Sequence, residues 1–244
     1  DLIAFLALVH RPSLDIVFAK WDAYQTSLGH GATGQVDQSS LNLRANLAFK
    51  RAKEIRRSRN ISDEFRVLIS EVLTLTQPST RYHPQIITLE AVSWEFHPET
   101  GYAWPVLLFE KAHHGDLLSF LQPSKGQVLS FKERLRLCKD VALALISLHR
   151  FAIIHGDVTP KNILVFEDHG VYHAKLADFG YAAAMVRGEP IDLARTWPWN
   201  APEIGYTWSF EFDEARRTDI YSFGVVCLWA CFSPSMNRET CLSQ

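Results

Sequence analysis

No charge of one sign dominates this chain: 25 Lys and Arg stand against 27 Asp and Glu over 244 residues, a net charge of −2. That balance argues against a nucleic-acid partner, and no block of like charge marks a membrane-surface face. Cysteine is scarce. Cys138, Cys227, Cys231 and Cys241 all lie in the second half, with no metal-ligand grouping. Cys227 and Cys231 share a helix face in an apolar run and read as core packing, which fits a reducing, intracellular and cytoplasmic setting. Long apolar runs are missing too. Leu2–Val9 is short and follows Asp1, a poor leader, and Tyr221–Phe232 falls well short of the ~20 residues of a membrane span. Internal repeats and low-complexity segments are absent.

What is present suffices for a real core: 47% of residues are hydrophobic and 21% charged, enough for one large or two small domains. Strand signals dominate to about Phe49 and are interrupted by a glycine-rich turn. A charged, helix-favouring stretch follows over Arg51–Thr76, its basic start KRAKEIRRSR reading as a solvated face. The apolar runs Ile86–Trp94 and Tyr102–Phe109 flank HPETG, a hairpin connection. From Asp116 helix patterns take over, and in Phe131–Arg150 Leu135, Cys138, Val141, Ala142, Leu145 and Leu148 recur at helical spacing. The expected division is a lead-in over 1–20, a strand-rich region over 21–111 and a helix-rich region over 112–244, an α+β class.

Chemistry concentrates in two strings, HGDVTPKN at 155–162 and ADFGYAA at 177–183. Phosphoryl transfer needs a carboxylate to accept the acceptor hydroxyl's proton and oxygen ligands to hold a divalent cation on the phosphates. Asp157 suits the first task, Asn162 and Asp178 the second. Upstream, GHGATGQV at 29–36 follows Leu28. A dinucleotide fold would start a helix there. Val36 instead opens another extended stretch, which leads to LAFK and Lys50. The best carboxylate partner for Lys50 is Glu71, with Glu54 and Glu64 as competitors. Further on come VLLFEKAHHGDLLSFL at 106–121, TWPWNAPE at 196–203 and TDIYSFGVV at 218–226.

In this order the strings resemble eukaryotic protein kinases over residues 20–235, and the 155–162 loop looks like that of divergent fungal serine/threonine kinases. The resemblance implies a two-lobed fold, with a strand-rich N-lobe and a mainly helical C-lobe. It implies ATP with Mg²⁺ or Mn²⁺, and a protein substrate rather than nucleic acid. Leu28, Gly29, Gly31, Gly34, Val36, Ala48, Lys50 and Leu164 would surround the nucleotide. Phe109 would be the gatekeeper, Glu110 to Ala112 would face the adenine edge, and Asp116 would reach the ribose, although a plain helix N-cap explains Asp116 as well. His155, Phe179, Leu89 and Leu75 would form the spine joining the lobes. Asp219 would anchor the backbone of the catalytic loop.

Three departures stand out. Gly156 occupies the place of the family's Arg, which pairs with a phosphorylated activation loop, and the segment from Tyr181 to Arg195 holds no Ser or Thr. Both halves of a charge switch are missing, so the loop is expected to be set by packing. Thr159 replaces the lysine that meets the γ-phosphate; Lys161 either compensates or simply faces solvent. Lastly, the absent initiator Met and the early stop lead to the expectation of a chain truncated at its C-terminus, whose last helix exposes Val225, Val226, Leu228, Trp229 and Phe232. Thr196 favours Ser/Thr over Tyr as acceptor. The rival readings are a pseudokinase and a small-molecule phosphotransferase, whose loops carry a similar H-G-D string.

Overall fold

The computed structural model describes residues 15–16, 25–30, 34–39, 47–52, 61–96, 103–122, 129–184, 191–207 and 209–232. Two compact units divide the chain, 1–81 with 88–111 and 82–87 with 112–244.

The first unit is built on a six-stranded sheet of β1 (Asp15–Ile16), β2 (Gln25–His30), β3 (Gly34–Ser39), β4 (Leu47–Ala52), β5 (Leu89–Phe96) and β6 (Ala103–Glu110). Its order is β1-β5-β6-β4-β3-β2, antiparallel except for the β1–β5 pair. In β6 the run Val106–Phe109 is buried residue after residue, as a central strand covered on both faces requires. Phe49, Ala91, Val106 and Leu108 form one core cluster, with Leu47 against it. Helix α1 (Ile61–Leu75) buries Leu68, Val72 and Leu75, spaced four and three apart, the stripe of an amphipathic helix. The helical stretch expected from Arg51 begins later. Arg51 and Ala52 continue β4, with Arg51 opposite Val106 in the ladder and paired through its guanidinium with Glu95. A charged residue at the end of a strand is indistinguishable in pattern from the first turn of a solvated helix.

The second unit is mainly helical. It contains α2 (Leu117–Phe120), α3 (Phe131–Arg150), β7 (Ile153–Ile154), β8 (Ile163–Asp168), β9 (Val171–Leu176), β10 (Ala183–Ala184) and α4 (Phe212–Phe232). A capping box starts α3: Ser130 Oγ accepts from the Glu133 N–H at 3.3 Å, and the Glu133 carboxylate accepts from the Ser130 N–H at 2.7 Å. Its core face is Leu137, Cys138, Val141, Ala144, Leu145 and Leu148. Leu135, expected on that face, is 52% exposed. Two residues are about 200° apart on a helix, and Leu137 is the one in phase with Val141, Ala144 and Leu148.

Helix α4 is longer than the apolar run that suggested it. Val226 and Trp229, expected at the surface, are buried, Trp229 with its ring 5.6 Å from that of Trp199; Leu228 and Phe232 are exposed. Cys138 is buried with its Sγ 4.0 Å from Cys231 Sγ, and these thiols pack between α3 and α4. Among the described residues no helix is long and apolar enough to cross a membrane.

Candidate active site

The 155–162 loop hangs from α4. Asp219 Oδ2 accepts from the His155 N–H at 2.8 Å, and Oδ1 accepts from the Gly156 N–H at 2.9 Å. His149, at the end of α3, lies with Nε2 2.9 Å from the same Asp219 Oδ2. That third contact has no signature in the sequence, because the two residues meet only through helix packing. His155 stacks edge-on to Phe179 at 5.0 Å. Its Nδ1 accepts from the Asp157 N–H, so its Nε2–H donates to the carbonyl of Ala177, 3.0 Å away. The ring thereby ties the 155–162 loop to the 177–180 turn.

Asp157, the one carboxylate of that loop, is buried, and burial pushes its carboxyl above the ordinary range, with the charge of Asp178 adding to the effect. The Thr196 hydroxyl, the His155 ring and the amide of Asn162 oppose that shift. Asn162 Nδ2 donates to both the Asp157 carbonyl and Asp157 Oδ2, each at 2.8 Å. With its amino group so engaged, the amide turns its Oδ1 away from Asp157. Asp178 sits at φ 62°, a left-handed conformation rare for a non-glycine residue, and its Oδ1 accepts from the Gly180 N–H at 3.4 Å. Thr159 is buried, whereas Lys161 is exposed on the 3₁₀ turn Pro160–Asn162. The oxygen donors of Asn162 and Asp178 are of the hard type that suits Mg²⁺ or Mn²⁺.

In the first unit, Lys50 Nζ lies 2.7 and 2.9 Å from the two carboxylate oxygens of Glu71, both side chains almost completely buried. The rival Glu54 lies outside the described residues, as does the Glu64 side chain. Val36 is directly opposite Lys50 in the β3–β4 ladder, and Ala48 is directly opposite Phe109 in the β4–β6 ladder. Leu28 and Gly29 lie on β2 at a register shift between Ser27 and Gly29, and Gly34 opens β3. Gly31 is outside the described residues.

Glu110 spends its side chain on the sheet, Oε1 accepting from the Thr88 N–H at 2.9 Å, so only its backbone is on offer at the strand end. In the second unit, Ala112 is half-buried and Asp116 caps α2. Asp116 Oδ1 accepts from the Ser119 N–H and Oδ2 from the Ser119 hydroxyl, both at 2.8 Å, while an isolated bridge joins Asp116 to Leu164 on β8.

The model of the protein kinase domain family matches residues 23–239. The chain belongs to that family. It is 33% identical over 209 residues to the L-type lectin-domain containing receptor kinase V.5 of Arabidopsis thaliana, covering 82% of this chain and 28% of the relative. The G-type lectin S-receptor-like serine/threonine-protein kinase SD2-2 of the same plant is 30% identical over 213 residues, covering 85% and 24%. The chain thus spans about a quarter of the length of these relatives. They are plant receptor-like kinases and correct the fungal affinity read from the loop string. Eight residues are too few to separate branches of one family when most of them are set by shared chemistry.

Backbone pairing and packing hold the described parts of the segment between the 177–180 turn and Thr196, namely 181–184 and 191–196. Strand β10 pairs with β7, Ala183 opposite Ile154 and Ala184 opposite Ile153. Past residue 190, Ile191 bridges to Phe210, and the Ala194 N–H donates to the Gly156 carbonyl at 3.1 Å. Ile154, Ile191, Leu193, Ala201, Ile204, Phe210 and Ala215 form one buried cluster, with Ala183 and Phe212 packed on it. Gly156 lies at φ +77°, and a Cβ placed there would meet the Tyr181 carbonyl oxygen at 2.8 Å and Leu193 Cδ2 at 3.3 Å. The residue in the place of the family's arginine thus has Tyr181 and Leu193 packed directly against it.

Proposed function

We propose that this kinase domain transfers the γ-phosphoryl group of ATP to Ser or Thr hydroxyls of a protein substrate, without phosphorylation of its own activation segment. The observation that carries the reading is the pairing of Asp157 with Asn162, a buried carboxylate held by an amide that donates to it at 2.8 Å. Asp157 would accept the acceptor proton, its raised pKa bringing it nearer the range of a useful base. Asn162 and Asp178 would hold Mg²⁺ or Mn²⁺, which supplies charge neutralisation at the phosphates. Lys50, steadied by Glu71, would meet the phosphates. Leu28, Gly29, Gly31, Gly34, Val36, Ala48, Phe109, Glu110, Ala112, Asp116 and Leu164 would form the nucleotide site, with Asp116 serving as helix cap as well.

The Ser/Thr preference is supported by the Thr196 hydroxyl, which opposes the rise of the Asp157 pKa, and by a relative named as a serine/threonine kinase. Independence from phosphorylation is supported by Gly156 and by the buried cluster under the segment. A second reading, a pseudokinase, is favoured by one observation: the position of the family's loop lysine holds a buried threonine. An intracellular, cytoplasmic setting goes with either. Radiolabelled ATP with casein, basic protein and an aminoglycoside as acceptors separates the readings. Protein labelling should appear, Asp178→Ala should abolish it through metal–nucleotide binding, and Asp157→Ala should lower turnover by about 10²–10³ with ATP affinity nearly kept. Labelling of the aminoglycoside alone, or none at all, would overturn the proposal.

A further inference from the structure

Helix α3 uses one face for the core, and the opposite face carries a pattern of its own. Lys132, Arg136, Lys139, Leu143, Ile146 and Arg150 are all exposed, Ile146 at 63%. Their spacing is four, three, four, three, four, the heptad spacing that keeps side chains on one line along a helix. Four of the six are basic. The two acidic residues of the helix are withdrawn from this line: Glu133 closes the capping box, and buried Asp140 accepts from the Ala174 N–H at 3.0 Å. Arg136 and Lys139 lend charge to Asp140, yet among the described residues none of the four bases is in an ion pair. Two aliphatic side chains therefore stand in water in the middle of a positive line, on a chain whose net charge is −2.

We propose that this line is a docking seam for an acidic amphipathic helix of a partner protein. Apolar side chains of the partner seat against Leu143 and Ile146, and Asp or Glu one turn to either side meet Lys139 and Arg150. Further carboxylates meet Arg136 and Lys132. Helix-on-helix recognition reads such a line through anchors three and four residues apart. A lipid surface would instead reward a broad apolar and basic face. Beside the line α3 exposes one further aliphatic side chain, Leu135, which falls short of such a face, and an anionic leaflet would also repel a chain of negative net charge.

The probe is a labelled synthetic helix of three heptads, with Leu and Ile at the central seam positions and Glu at the flanking ones, titrated with the full chain by fluorescence anisotropy. It should bind at least about tenfold more tightly than the same helix with Lys for Glu, and binding should weaken with salt. Lys139→Glu with Arg150→Glu should reverse that preference in favour of the Lys-bearing helix. Leu143→Asp with Ile146→Asp should abolish binding of either. All these side chains face solvent, so the charge-swapped chain, which loses only the support Lys139 gives Asp140, should stay folded with a slightly lower melting temperature, and it decides the matter even if the aspartate pair fails to fold. Equal binding of both helices, an unchanged preference after the charge swap, or tighter capture by phosphatidylserine vesicles than by the Glu helix would overturn the proposal.

Discussion

Charge and packing are divided between the two units. In the first, the feature expected to govern activity is ionic: Lys50 and Glu71, 21 residues apart, meet as an almost fully buried pair. In the second, where related enzymes would be expected to use an arginine and a phosphate, the activation segment rests on a strand pairing, an apolar cluster and the absence of a Cβ at Gly156. A buried ion pair is broken by removing one partner and leaves the other charge stranded. A packed segment has no such single point of release, except where one atom too many would lift it. The two units should therefore fail in different ways.

The largest effect should come from the ion pair. Glu71→Ala removes the carboxylate that Lys50 Nζ meets at 2.7 and 2.9 Å, and breaking a buried pair costs up to about 3–5 kcal/mol. Glu71→Gln keeps the shape and one acceptor and should cost less. Chemical denaturation checks both, and transfer should fall in each because Lys50 loses its orientation. Full stability and full activity in Glu71→Ala would show that the pair is ornamental, and the contrast between the units would collapse.

Gly156 tests the other side. A side chain there must hold a left-handed φ, a strain of about 1–2 kcal/mol, and also push on Tyr181 and Leu193. Gly156→Ala should slow transfer about tenfold and open the 181–196 segment to limited proteolysis, with smaller change in ATP affinity. Gly156→Arg restores the family residue but should be worse, not better, because the segment occupies the space of its Cβ. Phosphatase treatment of wild type should change turnover less than about threefold, under ~0.7 kcal/mol. A Gly156→Arg variant that gains activity on phosphorylation would show that charge can govern this unit as well.

These expectations mark what could be read from the chain and what could not. The strand-rich and helix-rich division was legible because period-two and period-3.6 patterns change near the junction. The Lys50–Glu71 meeting was within reach because helix phase ranks the carboxylates that follow. Leu135 misled because two phases of apolar residues overlap at the start of α3, and Arg51 because a charged strand end and a solvated helix start look alike. The contacts of Gly156 with Tyr181, of His149 with Asp219 and of Glu110 with Thr88 were beyond reach. Each depends on where separate elements finally pack, and none leaves a spacing to find.

A smaller effect separates charge from packing inside the second unit. Thr159 is buried and Lys161 exposed, so if any loop cation serves the γ-phosphate, it is Lys161 reaching from a different backbone position. Lys161→Ala should then lower kcat several-fold with ATP affinity unchanged, and adding Thr159→Lys should recover part of the loss. Turnover equal to wild type would assign Lys161 to solvent.

The smallest effect concerns a buried charge that, unlike Glu71, has no full ion pair. Asp140 is buried on α3, accepting from the Ala174 N–H, with His173 Nδ1 no nearer than 3.9 Å. Burial raises its pKa above the ordinary carboxylate range, the Ala174 bond and nearby positive charges opposing. A carboxyl raised in the folded state binds its proton more tightly there than in the unfolded chain. Stability therefore falls as pH rises from the ordinary carboxylate range through the raised value, and the penalty persists at neutral pH. Asp140→Asn keeps an acceptor for Ala174 and removes the charge. It should raise the melting temperature at pH 7 by about 2–4 °C, on the order of 1 kcal/mol. That gain should shrink as pH drops toward 4, where wild type takes up its own proton. A variant less stable than wild type at pH 7 would mean that the attraction of His173 outweighs burial, and that charge stabilises the second unit in the same sense as the first.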